Sequence, residues 1–263
     1  MSDADAIIAA LNTANDTLAE LVPGFTDEDL ARTSGAAEWD ISQVLSHMGS
    51  GAEITRASLE AAISGTARPG SDFNNSVWDR WNAMSRRERA DGYLKSNRAL
   101  IELYNSLDSA ARGSLRVDLG FMPAPVDLAT AAGLRLREVT LHSWDVRVAF
   151  DDKATLANDA VAALLHGKPD MYAWIGKTDV LSGRELDITV TTTEPASAFA
   201  LHLQSLVSVD FDVPDHPDGT LTLPAEAWLR LVAGRLAPKR TPATVTATGA
   251  ATLDLLRQIF PGY

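Results

Sequence analysis

The chain has 263 residues, 46% hydrophobic and 22% charged, a balance that suits a globular protein with one large core or two modest ones. A net charge of −12 with scattered basic residues argues against a nucleic-acid partner, and no run of 18 apolar residues offers a membrane span. There is no cysteine, which excludes disulfides, cysteine-based zinc sites and a protein thiol nucleophile; thiol chemistry here would need an external thiol.

The opening from Met1 to Asn15 is acidic and amphipathic, unlike a signal peptide, so a cytoplasmic protein is expected. Apolar spacing through Ile7, Ile8, Leu11, Leu18 and Leu21 predicts a helix from Asp3 to Leu21, ended by Pro23 and Gly24. Thr26 reads as the N-cap of a short helix with Glu28 and Asp29 in its first turn. A long helix is expected from about Asp40 to Ser64, closed by Gly65. A third is expected from about Phe73 to Leu107, with Arg86 to Arg89 as a solvated turn. The stretch from Gly120 to Pro125 is a loop, because proline disfavours helix at the preceding residue. A fourth long helix follows from about Val126 to Phe150, giving an up-and-down four-helix bundle.

Thr155 to Trp174 reads as an added helix broken at His166 to Pro169, with His166 exposed. Beyond residue 180 the pattern changes to strand alternation from Arg184, Phe199 and Leu206, and again from Gly219. An amphipathic helix from Ala225 to Leu236, a strand from Thr244 and a last helix from Thr252 complete a small α+β domain. The predicted division is therefore 1–178 and 179–263. His202 and His216, lacking a local metal partner in sequence, read as structural.

The chemistry concentrates on the fourth helix. Glu138 and His142 are four residues apart and share a face, where both can reach one metal ion. At 100° per residue, Glu138, His142, Asp145 and Ala149 form one stripe between Leu134 and Leu141 on one side and Val139 and Val146 on the other. Arg137, Ser143 and Arg147 fall on the far side. Charged groups inside an apolar face need an ion pair, a hydrogen-bond network or a metal. A metal-free Glu–His or Asp–His network satisfies that need as well, and such spacings arise easily by chance with 35 acids and 5 histidines. His47, on a stripe with Val44, Gly51 and Ile54, is a third candidate ligand or a plain rim residue.

Two elements carry a resemblance. Trp39 to Gly49, containing His47, resembles the Trp…His opening of the DinB-like metal-binding bundles. Arg137 to Val146 resembles the Glu-x-x-x-His-x-x-Asp element of the mycothiol-dependent maleylpyruvate isomerase family, and Ala225 to Pro238 with the following strand and helix is similar to its sterol-carrier-like appended domain. The resemblance spans nearly the whole chain and implies an α+β two-domain protein, a DinB-like four-helix bundle followed by a small sterol-carrier-like α+β domain. It implies a divalent metal, zinc by type, on His47, Glu138 and His142, with mycothiol as thiol cosubstrate and a small electrophile as the other partner. Neither nucleic acid nor membrane is expected, and the chain would act as a monomer or homodimer.

Three further residues are candidates. Asp145 would orient an imidazole N–H, or else form a helix salt bridge. Arg235 resembles an arginine that the family brings from its C-terminal domain, where it could meet a substrate carboxylate. Arg80, near Trp78 and Trp81, is a weaker candidate for holding the cosubstrate. The implied chemistry is thiol-dependent isomerisation of the maleylpyruvate cis/trans type, or S-transfer. The alternatives are a non-catalytic protein binding a metal or an apolar ligand, and a metallohydrolase using metal-bound water.

Overall fold

Helix starts follow the capping residues of the sequence in the computed structural model, which describes residues 3–36, 38–165 and 170–262. Residue His166, expected to be exposed, lies outside that set. Helix α1 spans Asp3–Leu21, and Thr26 caps α2, Asp27–Leu30, by accepting from the Asp29 backbone N–H. Asp40 does the same for α3, Ile41–Ser64, which ends at Gly65 in a left-handed conformation (φ 67°).

The expected single helix from Phe73 to Leu107 is two: α4, Ser71–Asn82, and α5, Arg86–Ser106. Ser85 and Glu88 form a reciprocal capping box, each side chain bonding the other's backbone N–H, so a new helix starts where a solvated turn was expected. A short α6, Ser109–Ser114, and a two-stranded ribbon of β1, Arg116–Val117, and β2, Val126–Asp127, then frame the proline loop. Asp127 caps α7, Leu128–Arg147.

The four long helices close a ring: α3 packs on α5 and α7, and α1 on α7 and α5. Leu18, Ile41, Leu45, Met48, Tyr93 and Val146 meet in its core. Helix α4 is seated on α3 by Trp81, whose buried ring lies against Gly49 and Gly92; a Cβ at Gly49 would stand 2.1 Å from the ring. The Trp81 indole N–H also donates to Glu53 of α3 at 3.1 Å.

The chain divides into compact units at 1–154 and 155–263, rather than after residue 178. Residues beyond 154 go with the sheet because α8, Asn158–Leu164, packs on the sheet unit's helix α10, Ala225–Val232, and α9, Asp170–Ile175, packs on its strand β5, Val207–Asp210. The other strands are β3, Leu186–Thr193; β4, Ala196–Leu203; β6, Gly219–Leu223; and β7, Thr246–Gly249. Their order is β5-β4-β3-β6-β7, with β3 and β6 parallel and the other pairs antiparallel. Trp228 of α10 centres this unit's core, with ring contacts to Phe199 at 5.1 Å and Phe260 at 6.2 Å, the latter just after α11, Leu253–Ile259.

On the sheet, His202 of β4 lies between two acids: Nδ1 is 2.7 Å from Asp187 of β3 and Nε2 is 2.9 Å from Asp210 of β5. The hydrogen bond to Asp187, outweighing partial burial and joined by Asp210, raises the imidazole's pKa above its ordinary 6.5. The third carboxylate close by, Asp218, accepts from the Asp187 backbone N–H.

Gly49→Ala should lower folding stability by about 1–3 kcal/mol despite alanine's better helix propensity, because the methyl group must displace a buried indole; denaturant unfolding measures it, and an unchanged midpoint would refute the tight seat. A histidine whose pKa is raised by folding stabilises fully below its unfolded pKa and loses that contribution as pH rises through the folded value. As pH rises above the ordinary imidazole value of about 6.5, wild-type protein should therefore lose stability that His202→Asn does not lose. Equal losses in both would remove the Asp–His–Asp ladder as a contributor.

Candidate metal centre

Helix α7 is enclosed almost all round. The face opposite the Glu138–His142 stripe is covered too, since Arg137 and Ser143 are buried along with Arg135, Thr140, His142 and Asp145. A helix that carries this many polar groups inward needs partners from its neighbours. Those partners set the site.

Glu138 lies between two imidazoles. Its Oε2 is 3.0 Å from His47 Nε2, reaching across from α3, and 3.5 Å from His142 Nε2 one turn along α7. His142 turns its other nitrogen, Nδ1, to Asp145 Oδ2 at 2.9 Å. Asp145 has no exposed surface, and the Gly35 backbone covers it: the Gly35 N–H donates to the Asp145 carbonyl at 2.7 Å, and a Cβ at Gly35 would stand 2.7 Å from Asp145 Oδ1. Trp39, in the same loop, stacks its ring 6.1 Å from that of His142 and lies 5.1 Å from that of His47.

Burial pushes the Glu138 carboxyl up, but hydrogen bonds from His142 and His47 and their charge outweigh it and hold the group well below the usual carboxylate range. Burial disfavours charged His142, yet the bonds to Asp145 and Glu138 outweigh it and its pKa rises. The carboxylate anchors this cluster.

Donor atoms of His47, Glu138 and His142 all lie within 4.8 Å of one another, the only such group among the described residues. Both Nε2 atoms turn toward one carboxylate oxygen, and Asp145 engages the nitrogen that coordination does not need, as in carboxylate–histidine–metal arrangements. Two imidazoles and one carboxylate suit a divalent ion such as zinc and leave room for a further ligand.

Arg135, three residues before Glu138, braces the two helices that carry these donors. Its Nη2 donates to the Met48 carbonyl, next to His47, and to Asn97 Oδ1 of α5, both at 2.9 Å. Asn97 in turn donates to Asn15 of α1 and to the Tyr93 hydroxyl. Burial depresses the guanidinium's pKa, against Tyr93, Glu138 and Tyr104, which favour its charge.

A family model described as the mycothiol maleylpyruvate isomerase N-terminal domain matches residues 11–147, just over half of the chain, with all four site residues inside. The chain belongs to the mycothiol-dependent maleylpyruvate isomerase family. Its fold agrees with a crystal structure of the mycothiol-dependent maleylpyruvate isomerase at a TM-score of 0.63, with 13% identity over 93% of this chain and 92% of that one. The crystal structure of a histidine-to-alanine mutant of the mycothiol-dependent maleylpyruvate isomerase matches with the same TM-score, identity and coverage. No curated protein sequence matches the chain.

Of the two arginines singled out from the sequence, Arg80 lies in the same unit as the triad and Arg235 in the other. Arg80 of α4 is ion-paired with Glu53 of α3 and is exposed. Arg235 belongs to the second unit, just after α10, where it is half-buried and its Nη1 donates to the Ala233 carbonyl at 2.9 Å. Sequence reasoning passed over Arg135, Gly35 and the backbone they hold. Arg135 was detectable as a charge three residues before Glu138 on an apolar face; nothing in the sequence marks Gly35.

Zinc titrated into the purified protein should bind at one ion per chain, and Glu138→Gln or His142→Ala should abolish its retention. Asp145→Asn should weaken it about 10–100-fold. Chelator competition reads both, and stoichiometric zinc in Glu138→Gln would remove the assignment.

Proposed function

We propose that this protein uses a divalent metal on His47, Glu138 and His142 to activate mycothiol for isomerisation of a small cis-unsaturated electrophile such as maleylpyruvate. The observation that carries the reading is the convergence of two imidazole nitrogens on one carboxylate, with Asp145 behind His142, inside the segment matched by the family model. A metal ion held there supplies the positive charge that favours a thiol's ionised form, the nucleophilic form that is scarce at neutral pH.

The protein's own part is to hold that charge in place. Glu138 contributes a single negative charge against two neutral imidazoles, so the centre stays net positive. Asp145 keeps His142 in the tautomer that presents Nε2, because Nδ1–H is spent on the carboxylate. Trp39 packs its ring beside both imidazoles.

The thiolate sulfur then bonds to one carbon of the cis double bond, and the displaced electron pair is delocalised into the adjoining carbonyl. Rotation about the resulting single bond and expulsion of the thiolate give the trans isomer, with thiol regenerated. S-transfer shares the first step and differs in keeping the sulfur–carbon bond, so the product distinguishes the two. Two cations remain with the reading: Arg235, from the family resemblance, for a substrate carboxylate, and Arg80, beside Trp78 and Trp81 in sequence, for the cosubstrate.

Zinc-loaded protein titrated with mycothiol should develop an ultraviolet thiolate–metal band, and maleylpyruvate should then isomerise only with thiol present. A metal-loaded protein with no thiol-dependent band would overturn the reading. Ester or amide hydrolysis without thiol would replace it with hydrolase chemistry.

A further inference from the structure

A groove of about 200 Å³ opens beside the triad and shares His47 with it. Its floor is one face of α3, where Gln43, Ser46, His47 and Ser50 follow at helical spacing, and Trp39, Trp78 and Trp81 line it. Trp78 leaves 47% of its surface exposed, although the buried ring of Trp81, one turn later, fixes α4 in place. An exposed indole on a rigid helix at the edge of a groove is a ready stacking platform.

The polar groups facing this groove have hydrogen-bonding capacity left. Gln43 uses its Oε1 to accept from the Asp40 backbone N–H, and its amide NH2 and the Ser46 hydroxyl have no protein partner among the described residues. Arg89 donates to the carbonyls of Trp81 and Asn82, and pairs with no carboxylate among the described residues. Among the described residues no acid lines the groove. Gln43 and Arg89 also border a larger neighbouring groove of about 650 Å³, where Arg86 is paired with Asp40 and Arg87 with Asp27.

Indole faces beside a planar amide, a hydroxyl and a guanidinium form a surface for a neutral, hydroxyl-rich ring. The C–H face of a sugar suits an indole, and vicinal hydroxyls suit an amide and a guanidinium. We infer that the groove from His47 past Trp78 to Gln43 and Arg89 holds the glycan of the thiol cosubstrate and so delivers its sulfur to the metal centre. The inference rests on the proposed thiol chemistry but assigns a separate surface. Mycothiol is a cysteine derivative carried on a neutral pseudodisaccharide, which places the reactive sulfur and the sugar at opposite ends of one molecule.

The test compares mycothiol with N-acetylcysteine, which lacks the sugar, on zinc-loaded full-length protein, reading the thiolate–metal band. Trp78→Ala and Gln43→Ala should each raise the Kd for mycothiol about tenfold, leaving that for N-acetylcysteine and the zinc content unchanged. Equal losses for both thiols, no loss for either, or a rise confined to the KM of the electrophile would overturn the assignment. In parallel, the thiol-free pseudodisaccharide should quench indole fluorescence of metal-free wild-type protein saturably and not that of Trp78→Ala. Quenching without any thiolate band would keep the groove and sink the proposed function. A band without quenching or discrimination between the thiols would sink the groove alone.

Discussion

The burial of charge along α7 is the constraint from which the first unit follows. Arg135, His142 and Asp145 are buried on one helix in a core of leucine, valine and tyrosine, with Glu138 half-buried between them, and each would be costly there without a partner. Arg135 takes carbonyl and amide oxygens from α3 and α5, Glu138 takes His47 from α3, and Asp145 takes His142 and the Gly35 loop. Satisfying these groups fixes the depth and rotation of α3 against α7. The same contacts bring His47 to Glu138.

Stability and chemistry are therefore coupled at this contact. The brace at Met48 is one residue from His47, so any shift that would lengthen the Arg135 bond also moves a donor of the triad. The loop before α3 serves two purposes in a few residues: Gly35 closes over Asp145, and Trp39 packs beside both imidazoles. Position by rigid helices and a packed loop is how a few polar groups can be held within the narrow tolerance that metal and thiol chemistry need.

Helix α4 adds a further surface to this arrangement. Two glycines, one on α3 and one on α5, admit the Trp81 ring, and that seat sets Trp78 at the rim of a groove that begins at His47. The remaining hydrogen-bonding capacity on Gln43, Ser46 and Arg89 lies along the same side of α3 as the triad's first donor. In the sheet unit, the partly exposed His202 joins three neighbouring strands through two acids and their backbone register.

Local signals settled much of this protein. The period of apolar residues, the caps Thr26 and Asp40, and strand alternation after residue 180 identify most elements, because each depends on neighbours within a few positions. The Glu138–His142 spacing was legible for the same reason. The break at Ser85 was equally local, written in Ser85 and Glu88, but the apolar face spanning it masked the cap. Tertiary structure alone decided what joins distant segments. It brings His47 to Glu138 across 91 positions and Met48 to Arg135 across 87, and it groups residues after 154 with the sheet. It also determines which side of α7 is buried, since burial is a property of the neighbours that cover a residue and not of the residue's own spacing.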